Sequence, residues 1–295
     1  MDTRGLALSG SHLPAMFRSA DQASLSGQRD TVRWSAAQLS LLIAAAVLSA
    51  TDLRAGEHLN VGDLLAAAAL TGSLLPAVWL ASSVPQRRWY QGRAAAESVK
   101  TLAWRYAVRA EPFTDSETAD EKYLGRLEEI LRSLRDLDWA PAAGEPAEIT
   151  ARMRRLRRAP LEVRQKVYLQ GRLDDQYAWY TRRARRFGRL ARVWSTAAGV
   201  TTALGLLAGF LQGFGLLAFD VLGTASAMSA AATAWVQLKQ FQPQSTAYLL
   251  TSHELLLART RLTPDCSEES WARLCGATED AISREHTMWL ARRVV

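Results

Sequence analysis

Four apolar stretches interrupt an otherwise polar, arginine-rich chain. They run over residues 34–53, 61–84, 193–213 and 216–238. Each is close to the about 20 residues that an α-helix needs to cross a bilayer core. All four are diluted by Ala, Gly, Ser and Thr. A glycine costs a soluble helix about 1 kcal/mol against alanine, yet Gly205, Gly209 and Gly213 recur at four-residue intervals, and Pro76 sits inside the second stretch. Membrane-spanning helices tolerate both residues. Trp34, Trp79, Trp194 and Trp235 stand near the ends of the stretches, as interfacial aromatics do. The pattern predicts an all-α membrane protein with two transmembrane helical hairpins, four crossing helices in all. A soluble bundle with buried helices is the competing reading.

The polar segments are helical as well. Residues 86–111 read as one helix ended by Pro112, and residues 161–192 as another that starts after Pro160. If each continues its apolar neighbour, each rod holds about 50 residues, or about 75 Å at 1.5 Å per residue, and together they form a cytoplasmic helical stalk. Residues 123–137 carry Leu124, Leu127, Leu131 and Leu134 at helical spacing, and residues 247–261 and 268–292 add two more helices. The segment 139–147, rich in Pro, Gly and Ala, reads as a linker. The expected organisation is a flexible N-terminal tail over 1–30, a first unit over 31–138 with cytoplasmic helices in 86–137, the linker 139–147, and a second unit over 148–295. The tripeptide Gln-Gly-Arg at 91–93 and again at 170–172 reads as coincidence.

Charge refines the topology. The chain of 295 residues carries 36 Lys and Arg against 29 Asp and Glu, and its mean hydropathy of −0.09 averages over strongly segregated segments. Arg33 precedes the first stretch, Arg87, Arg88 and Arg93 follow the second, and Lys239 follows the fourth. Arg182, Arg183, Arg185, Arg186, Arg189 and Arg192 precede the third with no acid among them. The short turns within each pair hold Asp52, Glu57, Asp63 and Asp220 against Arg54. Basic residues stay on the cytoplasmic side, so both termini lie in the cytoplasm of a cell whose inner membrane holds the chain. The run Arg182 to Arg192 is suited to anionic lipid head groups rather than to nucleic acid. Cys266 and Cys275 match no zinc or redox spacing and read as free thiols. No cofactor or metal site is expected. His253 has no second histidine to complete a zinc pair, and no phosphate-binding loop follows a strand, so the chain is not expected to be an enzyme.

Two faces of the later apolar helices differ in kind. Thr201, Gly205, Gly209 and Gly213 form a small-residue stripe, and Gly223, Ala227 and Ala231 form another. Such stripes let membrane helices approach closely, either with each other or with a neighbouring subunit. Ser226, Ser229, Thr233 and Gln237 lie roughly 115° away from the second stripe and are the pore-lining candidates. Asp220, near the outer end, is a weaker one.

The stretches "GRAAAESVKTLAWRYAVRAEPF" and "RLDDQYAWYTRRA", each beside a hairpin, resemble the SLATT families, the two-transmembrane effector domains associated with SMODS nucleotidyltransferases and SLOG sensors in bacteria. Arg93, Glu97, Lys100, Trp104, Arg105 and Tyr106 carry the likeness in the first half, and Arg172, Gln176, Trp179 and Tyr180 in the second. The resemblance implies a pore-forming effector of bacterial defence that responds to a nucleotide signal or a sensor partner. A non-conducting membrane-anchored scaffold and a constitutive ion channel or transporter are the alternatives. Arg93, Glu97, Lys100 and Trp104 share one helical face, as do Arg172, Gln176, Trp179 and Arg183. These faces read either as a pocket for phosphates and a base or as a seam that sets helix register. A homo-oligomer is expected, since four weakly apolar helices alone leave little room for a conduit.

Overall fold

The computed structural model describes residues 3–51, 53–55, 59–133, 146–217, 221–262 and 266–291. Ten α-helices follow one another among them: α1 (Ala15–Ser49), α2 (Val61–Ser83), α3 (Pro85–Ala107), α4 (Ala119–Ser133), α5 (Ala151–Arg158), α6 (Leu161–Tyr168), α7 (Asp175–Gly213), α8 (Val221–Lys239), α9 (Phe241–Arg261) and α10 (Glu268–Ala291). A π-helical segment, Leu169–Asp174, joins α6 to α7, so that Leu161–Gly213 is helical over 53 residues. The chain divides into two units. The first gathers Met1–Gln28, Gln86–Ala184 and Thr246–Val295; the second gathers Arg29–Pro85 and Arg185–Ser245.

The second unit holds two helical hairpins. Between α1 and α2, Arg54 pairs with Asn60 and Ala55 with Leu59 in a two-residue antiparallel ladder. Asn60 caps α2 by accepting from the Asp63 amide at 3.2 Å. A Cβ on Gly62 would lie 2.7 Å from the Thr51 carbonyl oxygen, so only glycine lets the helix start there. At the other end Trp34 and Trp79 approach to 5.1 Å. In the second hairpin, α7 and α8 meet through Gly205 and Ala225, and Trp194 lies 6.2 Å from Trp235. Thr224 of α8 donates to the Ala46 carbonyl of α1 at 3.2 Å. Leu64, Leu70, Leu75 and Val78 of α2 and Leu204 and Phe210 of α7 stand exposed.

Among the described residues, three helices are long and apolar enough to cross a membrane: Ala15–Ser49, Val61–Ser83 and Leu161–Gly213. Their apolar windows are only 6–17% buried, as expected of surfaces meant for lipid. Helix α8 is not among them, because hydroxyls and Gln237 dilute its alanines.

The first unit is packed around aromatic side chains. Tyr106, Phe113 and Tyr123 touch one another with ring centroids 5.0–6.2 Å apart, and Tyr168 stands edge-on to Trp104 and Trp271. Buried arginines close the end of α3. Arg157 donates to the Tyr106 carbonyl at 2.8 Å, while Arg164 and the Trp271 indole both donate to that of Val108, at 2.9 and 3.0 Å. These donors satisfy carbonyls that a helix end leaves unpaired, and Arg109 turns the chain with φ at 56°. Helix α3 therefore stops at Ala107, five residues before Pro112.

Three further expectations are corrected. The N-terminal 30 residues are not a loose tail. Leu8 and Leu13 are buried, and Thr150 donates to the His12 carbonyl at 2.8 Å. From Ala15 the chain is already in α1, whose Ala20 and Ser24 backbone presses so closely on Gly92 that a Cβ there would sit 2.8–2.9 Å from it. Second, the rod expected from residue 61 onward is broken at Val84, which has φ at 41° immediately before Pro85; a proline disfavours the helical conformation in the residue before it. Third, the two sequence halves do not fold as separate bodies, since each contributes to both units. The linker expected at 139–147 falls mostly outside the described residues, as does Leu134. The repeated Gln-Gly-Arg also has a structural use at both sites. Gly92 permits the α1 contact, and Gly171 has Ala7 and Trp104 within 3.4–3.5 Å of where its Cβ would stand.

Candidate functional site

Helix α8 presents two kinds of surface within the second unit. Gly205 and Gly209 do admit α8 closely: a Cβ on Gly205 would meet that of Ala225 at 2.7 Å, and one on Gly209 would meet Leu222 at 3.2 Å. Thr202 and Ser229 join their hydroxyls at 2.7 Å. The surface of α8 that faces α7 is thus Leu222, Ala225 and Ser229, and not the stripe Gly223, Ala227 and Ala231. At 100° per residue the two lie on nearly opposite sides of the helix. Gly223 is exposed, Ala227 half-buried and Ala231 buried. Thr201 spends its hydroxyl on the Ala197 carbonyl at 2.9 Å, and Gly213 has open space where a side chain would be. Of the two contacts expected for the stripe Gly223, Ala227 and Ala231, the one with α7 in the same chain is not made; alanine and glycine are common all round α8, so their spacing does not identify the side packed on α7.

The polar face borders the α7 contact. Ser226, Ser229, Thr233 and Gln237 line a groove of about 520 Å³ together with Thr202 and Gly205. Ser226, Thr233 and Gln237 are exposed. Thr233 donates to the Ser229 carbonyl one turn back at 2.9 Å, a local bond that leaves its helix intact. Asp220 lies outside the described residues.

In the first unit, the two polar faces read from the sequence come together. Arg93 pairs with Glu97 at 2.7 Å. The guanidiniums of Arg93 and Arg183 lie over the Trp179 ring, at 5.9 and 5.4 Å. Burial alone would lower the Arg93 pKa, but Glu97 beside it raises it overall. Burial pulls the Lys100 ammonium below its ordinary value; Arg172 and Arg93 add to the shift, while Glu97 and Glu279 oppose it. Gln176 is buried. Trp104 is no stacking platform, being 1% exposed in the aromatic core. Arg105 is engaged elsewhere, donating to the Gly276 carbonyl at 2.8 Å and pairing with Asp280 at 2.7 Å.

Glu279 is the residue that sequence reading missed. Fully buried on α10, it takes two bonds from Arg172, at 2.9 and 2.7 Å, and one from the Tyr168 hydroxyl at 2.9 Å. Arg172 also donates to Thr101 at 3.4 Å. The π segment between Tyr168 and Asp175 carries the arginine in its wider turn, a local form frequent where a helix serves a special contact. A buried arginine demands a carboxylate, but nothing in the spacing of residues says that it comes from 107 positions away. The arrangement matches charge internally: Arg93 with Glu97 and Arg172 with Glu279. It forms a cationic–aromatic seam with the Lys100 ammonium beside it.

Comparison with known families gives two matches. The model described as SMODS and SLOG-associating 2TM effector domain 3 matches residues 14–165, and that described as SMODS and SLOG-associating 2TM effector domain 1 matches residues 168–289. No curated protein and no solved structure matches the chain.

Proposed function

The chain belongs to the family of SMODS and SLOG-associating two-transmembrane effector domains, two of them in tandem, and on that premise we propose that it permeabilises a membrane on a signal. Domains of this family are associated with bacterial conflict and defence systems as membrane effectors. In this reading the second unit lies in the bacterial inner membrane, α8 is its fourth crossing helix, and both termini are cytoplasmic. Copies of the chain assemble symmetrically, so that the polar faces of α8 surround a path for ions. The run Arg182 to Arg192 rests against anionic head groups. A nucleotide signal or a sensor protein acts at the seam around Arg93 and Trp179, and no covalent chemistry is involved.

One observation carries the proposal: Ser226, Thr233 and Gln237 are exposed on a groove along α8, within one of the four apolar stretches. An amide facing lipid has no partner for its donors and acceptors, and polar groups at membrane depth face a protein interior or a water-filled cavity. Water between subunits meets that need. The internally matched charges of the seam favour a second reading, a non-conducting scaffold in which the first unit only docks partners. Planar-bilayer recording of the purified chain separates the two. The pore reading expects discrete conductance steps on addition of a nucleotide signal or the cognate sensor, reduced at least about tenfold when Ser226, Thr233 and Gln237 are all leucine. Silence under every trigger supports the scaffold.

A further inference from the structure

The second unit carries another groove, of about 350 Å³, on a different face of α8 from Ser226 and Gln237. Ala36 and Ile43 of α1, Ala197 of α7 and Ala232 of α8 form its walls, with Trp194 and Trp235 at one end. Small side chains keep the three helices from filling the space between them. Of the two hydroxyls on its walls, that of Thr201 is already bonded to its own helix and that of Ser40 stands among Ala36, Leu39 and Ile43, so the lining is mainly apolar. In a membrane, such a gap forfeits dispersion contacts unless something apolar enters it.

The basic groups show what kind of molecule fits. Lys239 follows Trp235 by one helical turn and lies 5.0 Å from its ring. Arg29 precedes Ala36 by two turns on the groove side of α1, and Arg186 precedes Trp194 by just over two turns on α7. All three stand beyond the same, tryptophan-marked end. Asp30 is the sole acid among residues 29–40, 185–212 and 221–245. An apolar slot closed by tryptophans and followed by cations is complementary to an amphiphile with an anionic head. We infer that this groove binds one anionic phospholipid, its acyl chain between α1, α7 and α8 and its phosphate against Arg29 and Lys239. The site rests on the membrane reading of the second unit, but not on conduction.

The test uses the full chain in phosphatidylcholine nanodiscs containing a small fraction of spin-labelled phosphatidylglycerol or spin-labelled phosphatidylcholine. The expected result is an immobilised phosphatidylglycerol component of about one per chain, preferred about tenfold over phosphatidylcholine. Ala232→Phe, or Ala36→Phe from the opposite wall should the first variant not fold, removes the immobilised component. Arg29→Gln with Lys239→Gln leaves the apolar groove but brings the preference close to one. Equal retention of the two lipids by the native chain overturns the inference, as does an unchanged preference in a folded groove-filled variant. A chain that stays in the disc without this preference sinks the lipid site alone; a chain that never enters the disc sinks the membrane reading.

Discussion

Arg172 and Glu279 illustrate how much a single buried pair can decide. Both are at most 1% exposed, and each would be left as an uncompensated charge by loss of the other. Arg172→Ala or Glu279→Gln is expected to cost the first unit about 3–5 kcal/mol, read as loss of near-UV circular dichroism at lower temperature in detergent. Tyr168→Phe removes only one hydrogen bond to the same carboxylate and costs about 1 kcal/mol. Lys100 has the opposite sign. Its folded-state pKa is lowered, so below that value burial of the charge weighs against folding. As pH rises from the folded value to the ordinary value of about 10.4, the unfolded chain binds more protons and stability increases. Lys100→Met is therefore expected to raise the melting temperature at pH 7 and to flatten that alkaline rise; a lower melting temperature would contradict the assigned direction. At this scale the sequence was partly legible. Arg93 and Glu97 are four apart on one helix, so their contact follows from helical geometry. Glu279 and the buried roles of Arg157 and Arg164 depend on contacts between remote segments, which residue spacing does not encode.

Among the helices, close approach was easier to foresee than its direction. Glycines at 205 and 209 do seat α8, yet the side of α8 that meets them is Leu222 and Ala225. Gly205→Val places a side chain where Ala225 already stands and is expected to cost about 1–3 kcal/mol through overpacking. Ala225→Gly in the same chain opens the space again. Recovery of the melting temperature in the double variant, and none with Ala227→Gly, tests which face is packed. Proline marks the start of α6 after Pro160, but α3 stops five residues short of Pro112, where buried arginines rather than the proline close the helix. The early start of α1 was hidden by composition. Ser, Gly and Ala suggest disorder when counted, whereas Ala20 and Ser24 are small because the backbone of α3 passes against them at Gly92.

For the whole molecule, the segregation of apolar from basic segments already separated a lipid-compatible part from a water-compatible one, and the resemblance to two-transmembrane effector domains holds over both halves. The way those halves interleave was not legible. A linear cut assumes that neighbours in sequence are neighbours in space, but the bonds of Trp271 and Arg164 to the Val108 carbonyl, and of Arg105 to that of Gly276, cross the cut at 139–147. The polar side of α8 is the feature on which the proposed function turns. The most direct test is thiol labelling in intact membranes, in a chain whose Cys266 and Cys275 are alanine. Single cysteines replace Ser226, Thr233 or Gln237 on the groove and Leu75 or Leu204 on the exposed apolar surface. The account predicts rapid reaction of a membrane-impermeant reagent at the groove positions and protection at Leu75 and Leu204. Equal labelling at all five positions, or protection at all five, would contradict it.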